Sequence, residues 1–148
     1  MSSLEKAGEP IQVLLIEDSP GDVRLTQEAF REANGAVNLH VAADGVEAME
    51  FLRRGSPRPD LILMDLNLPR MDGRQVLALI KEDESLKLIP TVILTTSVAE
   101  EDITKSYQLQ ANCYLSKPVQ FGAFESLVAS INDFWLTRAK LPQRAAKP

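Results

Sequence analysis

Three short stretches of the chain are apolar at every position: Val13 to Ile16, Leu61 to Met64 and Val92 to Leu94. Unbroken runs of strand length, rich in branched side chains, predict strands covered on both faces, as in a parallel sheet. Two weaker candidates, Asn38 to Ala42 and Ala111 to Ser116, mix in polar residues and suit edge strands. Helical stretches lie between them. "SPGDVRLTQEAFREA" opens with Ser19 as N-cap, Pro20 at the first helical position and Asp22 in the first turn. "DGVEAMEFLRR" and "MDGRQVLALIKEDE" follow the second and third strands, and "VAEEDITKSYQL" follows the fourth with three acids at its start. A last helix spans residues 120–135. Strand and helix alternate five times, and right-handed crossovers then predict a doubly wound, five-stranded parallel α/β sheet with helices on both faces. With the strongest strands central, the order is 2-1-3-4-5.

The polar residues that end these runs carry the chemistry. The first strand ends on Glu17 and Asp18, the third on Asp65, the fourth on Thr95, Thr96 and Ser97, and the fifth on Ser116, Lys117 and Pro118. In such a sheet ligands bind outside the carboxyl ends of the strands, so these groups converge on one edge. Three carboxylates meeting there repel one another unless a cation neutralises them. Oxygen ligands that leave positions for water suit magnesium. Carboxylate, divalent metal, lysine and hydroxyl are the parts needed to transfer a phosphoryl group to an aspartate. Singly, each residue reads as a cap, turn or strand residue; together they supply what one chemistry requires. His40, mid-strand on an edge, and Cys113, a small filler, read as structural.

Composition narrows the setting without changing this picture. The chain has 148 residues, 45% hydrophobic and 25% charged, the values of an ordinary globular domain. It has no run of membrane-spanning length and no signal-peptide pattern at its start. A single cysteine suits a reducing, cytoplasmic interior. A net charge of −5 gives no general attraction to nucleic acid. The basic residues Arg138, Lys140, Arg144 and Lys147 near the end read as a solvated tail.

Glu17-Asp18, "MDLNLPRMDG" around Asp65, "ILTTS" and "YLSKP" together resemble the receiver domain of two-component response regulators, a flavodoxin-like fold, over about Gln12 to Trp135. The resemblance implies that Asp65 is the aspartate phosphorylated by a histidine kinase's phosphohistidine. Glu17 and Asp18 would bind the metal with Asp65, and Asn67 would add its main-chain carbonyl. Lys117 would pair with the phosphoryl group, Pro118 would follow a cis peptide, Thr95 would be the switch hydroxyl and Tyr114 the aromatic that reorients with it. Ser97 stands where side chains tune phosphoryl lifetime. A haloacid dehalogenase-type phosphatase uses similar parts, but there the nucleophile ends the first strand and the acidic pair comes last. A pure interaction module that had lost phosphorylation would not need every one of these groups.

The expected organisation is a flexible N-terminus over residues 1–10, a receiver domain over 11–136 and a tail over 137–148 without an output domain, so that output is protein association. On the last helix Phe121, Phe124, Val128, Ile131 and Trp135 form the core stripe, with Leu127, Phe134 and Ala123 beside it. The apolar arc reaches about 160°, wider than the roughly 100° a core-facing helix needs. Leu127 and Phe134 are therefore expected to be exposed and to form a homodimer interface. "INDFWLTRAKLP" and "PDLILMDLNLP" also resemble single-domain response regulators that pair with phytochrome histidine kinases. That resemblance implies a dimer through the fourth helix, fifth strand and fifth helix, and such a kinase as partner.

Overall fold

The computed structural model describes residues 10–32, 37–118 and 120–142, and for Phe121 the backbone alone. Most of the expected N-terminal segment and the end of the expected tail lie outside the described residues. Five strands, β1 (Ile11–Ile16), β2 (Val37–Ala42), β3 (Leu61–Met64), β4 (Thr91–Thr95) and β5 (Cys113–Ser116), form one parallel sheet in the order β2-β1-β3-β4-β5. The helices α1 (Pro20–Glu32), α2 (Gly45–Arg54), α3 (Gly73–Glu82), α4 (Glu100–Gln108) and α5 (Phe121–Asp133) alternate with them. The expected architecture and strand order are those observed.

The apolar runs are continuous because alternate residues feed two cores. Leu14, Ile16, Ile62, Met64 and Ile93 face α2 and α3. Val13, Leu15, Leu61, Leu63, Val92 and Leu94 face the opposite way, toward α1 and α5. All four residues of β3 are fully buried. At roughly 1.5–3 kcal/mol for each such side chain, burial holds this strand firmly, as it does its neighbours β1 and β4. The polar β2 and β5 are indeed the edges, and His40 on β2 is tied to Gln12 by a 2.7 Å Nε2–Oε1 hydrogen bond.

Local signals set the helix starts. Ser19 Oγ accepts from the Asp22 N–H at 3.3 Å, which makes Ser19 the cap of α1. Asp44 caps α2, and Asp72 with Gln75 forms a capping box on α3. No helix among the described residues is long and apolar enough to cross a membrane.

Two expectations are corrected here. Leu127 is partly buried and packs with the core rather than standing free. α5 lies against α1 as well as the sheet, so a second neighbour covers part of the wide apolar arc. A π-helical turn, Phe134–Arg138, then inserts one extra residue per turn and brings Trp135 and Leu136 toward the same core. Phe134 is left 55% exposed. The second correction concerns the peptide before Pro118: among the described residues the cis bond is Ser56–Pro57 instead.

Candidate functional site

Strand register builds the site. Ile16 is level with Met64, so Glu17 and Asp65, the next residues, emerge side by side at the carboxyl edge. The backbone ladder continues through them: the Asp65 N–H donates to the Ile16 carbonyl at 3.0 Å, and the Lys117 N–H to the Thr95 carbonyl at 2.8 Å. Glu17, Asp18 and Asp65 each offer a carboxylate oxygen within 4.8 Å of the others. Glu17 and Asp65 are buried, while Asp18 faces solvent.

Asp65 is gripped on both oxygens. Oδ1 accepts from the Thr95 hydroxyl at 2.7 Å and from the Asn67 N–H at 3.2 Å. Oδ2 accepts from Lys117 Nζ at 3.1 Å. The same ammonium donates to Glu17 Oε1 at 2.6 Å and to Asp22 Oδ2 at 2.8 Å. Lys117 is thus aimed into the site by three carboxylates. Burial alone would lower its pKa, but Asp22, Glu17 and Asp65 outweigh it and hold the ammonium charged well above its usual range. Burial raises the Glu17 pKa, and Lys117 opposes that rise.

The loop after Asp65 is packed without slack. A Cβ on Gly73 would collide with the Asp65 carbonyl oxygen, so only glycine lets α3 start this close to Asp65. Arg70 adopts a left-handed φ of 64° and ion-pairs with Asp44 at 2.8 Å, which pins the loop to the start of α2.

A second network borders the site. Ser97 Oγ donates to Asp102 Oδ2 at 2.6 Å, and Arg74 on α3 holds Asp102 Oδ1 at 2.6 Å. The Tyr114 hydroxyl donates to the Ser97 carbonyl at 3.0 Å. The Ser97 hydrogen bond and then the Arg74 charge keep the Asp102 carboxyl below its usual range. This contribution to stability is present above the ordinary aspartate pKa of 3.8 and is lost as pH falls through the lower, folded value.

The structure therefore brings together Glu17, Asp18, Asp65, Asn67, Thr95 and Lys117, and sets Tyr114 one residue's contact away. Sequence reasoning placed Asp22 only in the helix's first turn; its position four residues beyond Asp18, on the helix that leaves the same strand end, was the signal for its contact with Lys117. Arg74 and Asp102 gave no such signal. The acidic trio fits a hard divalent cation, because every donor is an oxygen and the negative charge exceeds what one ammonium neutralises.

Comparison with known proteins agrees with this geometry. The family model described as "Response regulator receiver domain" matches residues 13–131. Response regulator Rcp1 of Synechocystis sp. is 45% identical over 143 residues, covering 93% of this chain and 97% of that protein. The crystal structure of the Mn(2+)-bound form of Rcp1 is similar with a TM-score of 0.87 at 46% identity, over 90% of this chain and 100% of that one. A phosphorylated cyanobacterial phytochrome response regulator, RcpA, matches with a TM-score of 0.88 at 45% identity, over 90% and 99% of the two chains. With Asp65, Lys117 and Thr95 meeting at the sheet edge and a family model spanning both cores, the chain belongs to the response regulator receiver domain family.

Proposed function

We propose that this protein is a stand-alone response regulator that accepts a phosphoryl group on Asp65 from a histidine kinase of the phytochrome type and signals by changing its association with protein partners. The observation that carries the reading is the hold of Thr95 and Lys117 on the two oxygens of the one carboxylate that ends β3. In the transfer, an Asp65 oxygen bonds to phosphorus as the phosphorus–nitrogen bond of the phosphohistidine breaks. Lys117 and the Thr95 hydroxyl stand where negative charge passes from the carboxylate to the phosphoryl oxygens, and their donors follow it. Glu17, Asp18 and Asp65, with the Asn67 carbonyl, would hold magnesium, which when bound supplies charge neutralisation at the phosphoryl group. The protein is a signalling receiver rather than a turnover enzyme, and its promotion of its own phosphorylation and dephosphorylation is part of this proposal. The manganese in the Rcp1 structure and the phytochrome named for RcpA support the metal and the kinase class.

Incubation with phosphorylated phytochrome-type kinase and magnesium should move the phosphoryl group to this chain within the first minutes, and chelation should stop the transfer without unfolding the fold. Transfer at an unchanged rate in chelator would refute the metal requirement.

A homodimer through α4, β5 and α5 belongs to the same proposal, in the cytoplasm and without nucleic acid or membrane. Its support is now Phe134, 55% exposed on the extension of α5, and Tyr107, 50% exposed on α4. Phe134→Glu should give a folded monomer by sedimentation that is still phosphorylated. Leu127 is a poorer probe, since its substitution disturbs the core. An unchanged dimer in Phe134→Glu would exclude this surface.

A further inference from the structure

An ammonium has three N–H donors, and Lys117 commits all three to carboxylates: Glu17 Oε1 at 2.6 Å, Asp22 Oδ2 at 2.8 Å and Asp65 Oδ2 at 3.1 Å. Its side chain leaves the end of the edge strand β5 on a flexible four-carbon stem, so these contacts fix where the charge lies. Two of the three anchors have other duties. Glu17 and Asp65 belong to the acidic trio that fits a divalent cation, and Asp65 is also the phosphoryl acceptor of the proposed function. Once those duties are met, neither carboxylate offers the ammonium the charge it offers now. Asp22 is not one of the trio.

The local structure suits Asp22 to a standing hold. It lies in the first turn of α1, where its N–H donates to Ser19 Oγ at 3.3 Å and its carbonyl accepts from the Thr26 hydroxyl at 2.8 Å. Thr26 is buried, so the backbone beneath the carboxylate is fixed on both sides. The start of a helix also favours a negative side chain. The Asp22 side chain itself is 31% exposed and is not among the buried core residues, so the fold does not depend on it for packing.

We infer that Asp22 is a positioning residue for phosphoryl transfer: it is the anchor that keeps the Lys117 ammonium at the Asp65 edge while Glu17 and Asp65 serve the metal and the phosphoryl group. The inference rests on phosphorylation at Asp65. With acetyl phosphate as donor, an Asp65 oxygen bonds to phosphorus as the bond from phosphorus to the acetate oxygen breaks. The electron pair leaves with acetate, and no proton has to move. The Lys117 N–H that faces Asp65 Oδ2 can then donate to a phosphoryl oxygen, provided the ammonium stays in place, and Asp22 is the contact free to hold it there.

Two measurements test this. In protein loaded with magnesium, proton–nitrogen NMR of the lysine ammonium groups should show Lys117 as a slowly exchanging signal, identified by its loss in Lys117→Ala. Asp22→Ala should broaden that signal away while the backbone amides keep the dispersion of a folded chain. If the alanine variant fails to fold, Asp22→Asn, nearer the native shape, should show the same change to a lesser degree. With acetyl phosphate and magnesium, Asp22→Ala should slow phosphoryl uptake, read by intact mass, about fivefold or more. Lys117→Ala should be slower still, and adding Asp22→Ala to it should change nothing further, because the two act as one unit. A merely structural role for Asp22 would slow both backgrounds equally. Glu28→Ala, which removes an acid from the same helix, should leave uptake unchanged. A small donor also keeps any contact between α1 and a kinase out of the result. No slowly exchanging Lys117 signal in the unaltered protein, a signal that survives in Asp22→Ala, unchanged uptake in that variant, or equal slowing in the Lys117→Ala background or by Glu28→Ala overturns the inference alone. An unaltered protein that takes up no phosphoryl group overturns it together with the functional reading.

Discussion

Asp65→Asn should abolish phosphoryl acceptance and leave the fold intact. The amide matches the carboxylate in shape, and its oxygen can still accept from the Thr95 hydroxyl that now bonds Oδ1 at 2.7 Å. It has no anionic oxygen to attack phosphorus, so this position loses its nucleophile. Asp18 and Glu17 should not substitute for it. Asp18 faces solvent, and Glu17 is buried with Lys117 bonded to its Oε1. The change also removes one negative charge from a crowded acidic edge, so thermal stability should hold or rise slightly. Intact-mass analysis after treatment with a phosphodonor and magnesium reads the result directly. Uptake of one phosphoryl group by the asparagine variant at the original rate would remove Asp65 from the assignment.

Lys117→Ala should produce the second large effect, on stability as well as on chemistry. The ammonium and its Glu17 partner are each about 5% exposed or less in their side chains, and Asp65 is 10% exposed. Removing one partner of a buried ion pair leaves uncompensated charge, at a cost of about 3–5 kcal/mol. In chelator at neutral pH the variant should therefore unfold at markedly lower denaturant. Magnesium should restore much of the loss, because a divalent cation then meets the same carboxylates. The pH dependence has a definite sign. Without the ammonium, burial dominates Glu17 and raises its folded pKa further, so the folded state takes up a proton more readily than the unfolded chain. The deficit should shrink as pH falls toward the ordinary glutamate value of 4.5. Phosphoryl acceptance should fall by about two orders of magnitude, in line with loss of a charged donor at a phosphoryl group. A variant as stable in chelator as the native protein would show that the three carboxylates do not depend on this cation.

The parts of the fold legible in the sequence are those governed by one-dimensional patterns. Val13–Ile16, Leu61–Met64 and Val92–Leu94 are apolar on both faces because both faces are covered, and no partner needs to be known to see it. The site was legible for a related reason. In parallel strands the residue after each buried run must reach the same edge, so Glu17, Asp65, Thr95 and Lys117 could be placed together before any distance was measured. Contacts between surface charges on separate elements carry no such pattern. Arg70 finds Asp44, and Arg74 finds Asp102, across more than twenty positions, among many equivalent acids and bases. The exposure of Leu127 was misread because an arc counted around a helix does not say how many neighbours that helix has. The π-helical turn after α5 also shifts the phase of the count, and nothing in "FWLTR" announces it.

The complete burial of β3 has a mechanical consequence. A strand closed on both faces and hydrogen-bonded on both sides resists displacement, so Asp65 at its tip has a stiff foundation. Strain from a new charged group at Asp65 should therefore pass outward, into the less buried parts: the β4–α4 turn, the shallowly seated α4 and the edge strand β5. On this reading the sheet acts as a lever with one stiff end, and its travel should appear on the side farthest from β2.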